Sequence, residues 1–116
     1  MTIQRFDAGP RMSKAVVNGN TVYLAGIVAD APKGKSMSEQ TKSILAQIDG
    51  FLAQAGSDKS KLLSANIWIT DMANFAEMNG VWDAWVSPGN TPARATVEAK
   101  LASPDYVVEI MVVAAR

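Results

Sequence analysis

Polar and apolar positions along this chain switch between two periods, and the switches mark its elements. Lys14-Ala15-Val16-Val17 and Asn20-Thr21-Val22-Tyr23-Leu24-Ala25-Gly26 flank Asn18-Gly19. Asn-Gly accepts the positive φ angles of a tight two-residue turn, and β-formers stand on both sides, so this stretch predicts a hairpin. Pro32-Lys33-Gly34-Lys35 reads as a loop. Ser36 and Glu39 then have capping-box spacing, and Ile44, Leu45, Ile48, Phe51, Leu52 and Ala55 follow at helical spacing, with Gly56 where a terminating glycine belongs. Gly50 inside this helix costs about 1 kcal/mol relative to Ala, which suggests a close packing contact there.

Leu62 to Thr70 predicts a strand, with Leu63, Ala65, Ile67 and Ile69 on one face and Leu62, Ser64, Asn66, Trp68 and Thr70 on the other. Asn74 and Glu77 are spaced to cap a second helix whose stripe is Phe75, Met78, Trp82, Trp85 and Val86. Pro88-Gly89 ends it. Arg94–Lys100 and Tyr106–Ala115 are strand-like and joined across Ser103-Pro104-Asp105. The order hairpin, helix, strand, helix, strand, strand predicts an α+β domain with one mixed sheet and two helices.

Two helices cover one face of such a sheet. The final strand, Val107-Val108-Glu109-Ile110-Met111-Val112-Val113, is apolar on both faces, as in a central strand buried on both sides. Its second face requires a cover from outside the chain, and the simplest one is another copy. Length fits a single domain spanning residues 1–116, because 116 residues with 48% hydrophobic and 19% charged positions build one core.

Charge and residue content narrow the chemistry. Eleven basic residues balance eleven acidic ones, so no basic excess exists to hold a phosphate backbone, and nucleic acid is not expected as a partner. The chain contains neither Cys nor His. That excludes Ser-His-Asp and Cys-His catalysis and nearly all zinc sites. No apolar run reaches the ~20 residues of a membrane helix, and the start lacks the pattern of a signal peptide, so a cytoplasmic protein without membrane contact is expected.

Carboxylates and Arg remain. Glu109 interrupts an apolar strand, where an unpaired ionised carboxylate costs several kcal/mol. It is either a structural Glu that reaches solvent or an ion-pair partner, or a carboxylate held at a cleft for acid–base work. Arg94 opens a strand after Pro92-Ala93, and its planar fork suits bidentate capture of a carboxylate; a surface salt bridge is the plainer alternative. Simple hairpin spacing does not place Arg94 opposite Glu109, so any pairing requires another strand order or another chain. Asp71, Glu77 and Asp83 fit caps and solvated helix faces better than a catalytic carboxylate pair. Trp68, Trp82 and Trp85 fit core or interface packing, and Gly26 fits a bulge or a close backbone approach to a ligand.

Four segments then occur in a familiar order and spacing: Val22-Tyr23-Leu24-Ala25-Gly26, Thr70-Asp71-Met72-Ala73-Asn74-Phe75 with Met78-Asn79, Pro92-Ala93-Arg94-Ala95-Thr96-Val97-Glu98, and Val108-Glu109-Ile110. From about Ala15 to Ala114 the chain resembles the RidA/YjgF/UK114 family of reactive-intermediate deaminases. The resemblance implies a chorismate-mutase-like fold and a homotrimer with sheets inward and helices outward; on the helix-free sheet face such a trimer would bury, Trp68 and Met111 are candidate contacts. It implies sites in clefts between subunits, where a small 2-imino or enamine acid is hydrolysed to a 2-keto acid and ammonium. Neither cofactor nor metal is needed. By the same resemblance Arg94 grips the substrate carboxylate, Glu109 orients the attacking water, backbone amides at Gly26 and Thr96 help hold the substrate, and Asn79 borders the site. The archetypal members read Ser-Gly-Gln where this chain has Ala25-Gly26-Ile27, and carry a Tyr where Arg11 or Met12 stands, so a hydroxyl and an aromatic wall are missing from the implied pocket. A keto-acid-binding protein with little turnover is the alternative implied by that departure. The ribonuclease label some members carry fits poorly with zero net charge and no His.

Overall fold

The computed structural model of the chain describes residues 2–116. Its six-stranded mixed sheet runs in the order β1 (Ile3–Phe6), β2 (Ala15–Asn18), β3 (Thr21–Leu24), β6 (Val108–Ala115), β4 (Leu62–Ile69) and β5 (Ala93–Glu98), with helices α1 (Met37–Gln54) and α2 (Phe75–Trp85) supplying the rest of the core. β1 (Ile3–Phe6) pairs antiparallel with β2 (Ala15–Asn18) at one edge. No hydrophobic alternation in Ile3-Gln4-Arg5-Phe6 announces this strand, and most of it is exposed.

The predicted hairpin forms one residue out of its expected register. Asn18 pairs with Thr21 of β3 (Thr21–Leu24), so the turn is Gly19-Asn20 rather than Asn18-Gly19. Gly19 has φ 63°, the first-position glycine of a type II′ hairpin turn. This register sets Ala15 opposite Leu24 and Val17 opposite Val22, with all four side chains buried. The expected turn would have set Val17 against Asn20. Core matching selected the register.

α1 (Met37–Gln54) begins and ends as its sequence requires. The Ser36 hydroxyl accepts from the Glu39 amide at 3.1 Å, and the Glu39 carboxylate accepts from the Ser36 amide at 3.2 Å. At the other end Gly56 has φ 81°; its amide donates to Ala53 O, and that of Ser57 donates to Leu52 O at 2.8 Å, the Schellman pattern. Gly50 does not make the expected close contact. It sits on the outward face, and nothing lies within 4 Å of a Cβ placed there.

β4 (Leu62–Ile69) departs from strict alternation at its start. A bulge between Leu62 and Ser64 turns Leu62 inward and leaves Leu63 exposed, reversing the faces predicted for those two residues; Ala65, Ile67 and Ile69 are buried as expected. α2 (Phe75–Trp85) follows a 3₁₀ turn at Met72–Asn74. Asn74 makes no side-chain cap: with φ −97° and ψ 11° its backbone continues the turn, its amide donating to Asp71 O, rather than taking the extended form of an N-cap. The Asp71 side chain caps the turn instead, accepting from the Ala73 amide at 2.9 Å. Glu77, expected at the same cap, reaches across to α1 and accepts from the Ser38 amide at 2.8 Å and its hydroxyl at 3.0 Å.

β5 (Ala93–Glu98) returns parallel to β4, with α2 as the crossover. β6 (Val108–Ala115) lies centrally, antiparallel to both β3 and β4. Its start is pinned by Gln40 of α1, a buried amide whose Nε2 donates to Asp105 O at 2.8 Å and whose Oε1 accepts from the Val107 amide at 3.0 Å. Val108, Ile110, Val112 and Ala114 enter the core under the helices, whereas the opposite side of β6 is only partly covered.

Candidate functional site

Sheet register decides which predicted residues share a face. Arg94 of β5 stands in the row of Ala65 and Val112, which belong to the core face. Thr96, two residues on, stands in the row of Ile67 and Ile110 on that same face. Glu109 stands in the row of Trp68 and Val97, on the helix-free face. Arg94 and Glu109 therefore project from opposite sides of one sheet, with β4 between their strands. A single chain does not bring them together, consistent with the expectation that hairpin spacing alone would not.

Two partial sites result. The first lies along the free edge of β5 beneath α2. The Arg94 guanidinium sits 5.4 Å from the centre of the Trp82 ring and 5.9 Å from that of Phe75. No carboxylate pairs with it: the one ion pair among the described residues joins Lys35 and Glu39 at 3.8 Å. The salt-bridge alternative for Arg94 is thus not realised within the chain. Asn79 lies between Phe75 and Trp82 on the same helical face, four residues after one and three before the other. Asn79 Oδ1 and Thr96 Oγ1 are buried without a hydrogen-bond partner. Two orphaned polar atoms are unusual, since buried polar atoms in folded proteins are nearly always paired.

The second partial site joins the end of the hairpin to β6. The Ile27 amide donates to Ile110 O at 2.8 Å, and the Ile110 amide donates to Ile27 O at 3.1 Å. This bridge carries Gly26 past Glu109. A Cβ on Gly26 would fall on the Glu109 carboxylate, with its Cδ only 3.1 Å away. Glycine leaves room for that approach, and a side chain here would have to displace the flexible Glu109 carboxylate. Glu109 is half-buried, and among the described residues no cation pairs with it.

Reading residue types by spacing missed the neighbours of Arg94. Spacing puts Phe75 and Trp82 in the core stripe, and Trp82 is indeed buried, its ring tilted against that of Trp85 with centroids 5.4 Å apart. Their i and i+7 positions, with Asn79 between, carried the signal, but β5 had to be placed beneath α2 before it had meaning. A groove of about 710 Å³ opens outward between α1 and α2, bordered by Lys42, Asp49, Lys59 and Trp85; it contains none of the predicted site residues. Among the described residues no group of three His, Cys, Asp or Glu side chains is placed to hold a metal, and no helix is long and apolar enough to cross a membrane.

Comparison with known proteins settles the family. The family model described as Endoribonuclease L-PSP matches residues 2–116. The RutC family protein YoaB of Escherichia coli K12 is 47% identical over 115 residues, 99% of each chain. A RutC family protein of Haemophilus influenzae is 45% identical over 114 residues, 98% of each chain. The crystal structure of a YjgF-family protein from Neisseria meningitidis is 50% identical and superposes with a TM-score of 0.96, over 100% of this chain and 96% of that one. The chain belongs to the RidA/YjgF family. Its fold is that of the family too. A YjgF/YER057c/UK114 member from Mycobacterium tuberculosis retains the architecture at 25% identity, with a TM-score of 0.90 over 99% of this chain and 100% of that one. The resemblance seen in the four sequence motifs thus extends over the whole described RidA/YjgF domain, β1 included.

Proposed function

We propose that this RidA/YjgF protein is a cytoplasmic homotrimer that hydrolyses small 2-imino or enamine acids to 2-keto acids and ammonium, in clefts where the Arg94 edge of one copy meets the Glu109 face of the next. The observation that carries this reading is the division of the site: a guanidinium without an anion on one sheet face and a carboxylate cradled by Gly26 on the other. Each half lacks what the other holds.

In the shared cleft, the Arg94 fork donates two parallel hydrogen bonds to the substrate carboxylate and fixes the orientation of the imine carbon. Backbone amides at Gly26 and Thr96 add donors, and Asn79 borders the pocket. Glu109 accepts a hydrogen bond from a water and takes its proton as the water oxygen bonds to the imine carbon. The resulting carbinolamine gains that proton on nitrogen. The carbinolamine hydroxyl proton then passes to nitrogen as the C–N bond breaks and the keto group forms, so ammonia leaves and takes up a proton from water to become ammonium. The imine carbon is already electrophilic, so these steps call for no cofactor or metal.

Ala25 and Ile27 beside the Glu109 cradle, and Arg11 and Met12 in place of an aromatic wall, support a second reading: a keto-acid-binding protein with the same pocket and little turnover. Nuclease action has no support from a chain of zero net charge without His. Ammonium release from imines generated in situ by a threonine dehydratase separates the two supported readings. The deaminase accelerates release, and Arg94→Lys loses most of the acceleration because a point charge does not reproduce the fork. Keto-acid binding without acceleration would establish the second reading.

A further inference from the structure

Arg94 makes its close side-chain contacts with two aromatic rings rather than with an acid, and this carries a consequence for how it is held. A carboxylate partner would spend N–H donors and neutralise the charge. An aromatic ring face attracts the cation through its quadrupole and makes no claim on the donors at the guanidinium edge. Trp82 is 4% exposed and fixed in the core, so its ring is a rigid wall. Phe75 is 37% exposed on the same face of α2, at the open side of the cleft. The two rings lie 5.4 and 5.9 Å from the guanidinium carbon.

We infer that Phe75, with Trp82 behind it, is a positioning residue: it holds the Arg94 guanidinium in one orientation with its donors unspent, so that an incoming carboxylate meets a pre-ordered fork. The functional consequence rests on the carboxylate-clamp reading above; the orientation itself does not. A flexible Arg at an exposed sheet edge would have to freeze its side chain on binding, and a stack made beforehand removes that cost. Phe75 is the residue to test, because replacing Trp82 also opens the core.

Phe75→Leu keeps an apolar side chain and removes the ring, and Phe75→Tyr restores the ring. In ¹⁵N-edited spectra of the full chain, the Arg94 Nε–Hε signal, assigned by its loss in Arg94→Lys, should be displaced by the ring currents. It should move toward the free-arginine position in Phe75→Leu and return in Phe75→Tyr. With 2-ketobutyrate in calorimetry, and imines in the turnover assay, Phe75→Leu should raise Kd and KM about 3–10-fold with kcat within about twofold. Combined with Arg94→Lys it should add no further loss in Kd. An unmoved Nε–Hε signal in Phe75→Leu overturns the inference. So does a moved signal with unchanged Kd and KM, or an equal loss in the Arg94→Lys background. If the wild-type chain neither binds 2-ketobutyrate nor releases ammonium, the functional reading fails, and the Nε–Hε signal alone then decides whether Phe75 orients Arg94.

Discussion

Along β6, Val108, Ile110, Val112 and Ala114 are fully buried, whereas on the other side Met111 is 36% exposed and Glu109, Val113 and Ala115 are half-buried. The two sides are similarly apolar in sequence apart from Glu109. One has α1 and α2 above it. The other continues into exposed Tyr23 of β3, which pairs with Val113, and exposed Val97 of β5, which shares a row with Trp68 and Glu109. A contiguous apolar sheet face open to water is a docking surface or an aggregation liability. The pairing of a finished face with an unfinished one teaches that the fold and the proposed site are completed by different events: the chain closes its own core, while in the proposed trimer a second copy covers the Glu109 face and brings Arg94.

Changes on the open face should separate these events most sharply. Met111→Glu introduces a charge where a dry subunit contact is proposed, and it should shift the protein from trimer to monomer in light scattering at micromolar concentration while the core stays folded. An unchanged trimer would remove the open face from the interface, and a wild-type monomer would remove the shared cleft altogether. Next in size is Glu109→Gln, which keeps shape and hydrogen bonding but loses the charge. Imine hydrolysis should slow by roughly 10²–10⁴-fold, the range for a lost general base. Thermal stability should hold or rise, since among the described residues no cation depends on this carboxylate. A clear fall in Tm with near-normal turnover would instead assign Glu109 to a structural ion pair across the interface.

On the finished face, Ile110→Ala should cost about 2–5 kcal/mol in chemical denaturation, the range for emptying a sealed aliphatic site. A loss that appears only as dissociation of subunits would mean that the two faces are not energetically distinct. The smallest effects belong far from both faces, at the start of α1. Ser36→Ala should cost about 1 kcal/mol by removing the N-cap. Hydrogen bonds from the Ser36 backbone, then its side chain, hold the Glu39 carboxyl below its ordinary pKa. Ionised Glu39 therefore adds stability above its unfolded pKa, and that stability is lost as pH falls through the lower folded value. Glu39→Gln should lower Tm slightly at pH 7 and not at all in strong acid; an equal loss at both would assign the effect to packing.

Local signals in the chain determined the local elements because their physics is local. Ser36 with Glu39 and Gly56 with its neighbours delimit α1 through hydrogen bonds that span only a few residues. The helix and strand periods carried the α+β class, and the two-sided hydrophobicity of β6 correctly indicated a central strand. Sequence also picked out Arg94 and Glu109, because a charge beside or within an apolar strand is costly wherever the strand lies. Tertiary structure decided what depends on distant partners. Core matching moved the hairpin turn to Gly19-Asn20, a bulge exchanged Leu62 and Leu63, and β1 exists because β2 offers an edge to pair with. It alone placed Arg94 against Phe75 and Trp82 and laid Glu109 over Gly26 on the opposite face. Those facts follow from sheet order and register, which arise from the summed burial of all strands at once and leave no signature in any single stretch of residues.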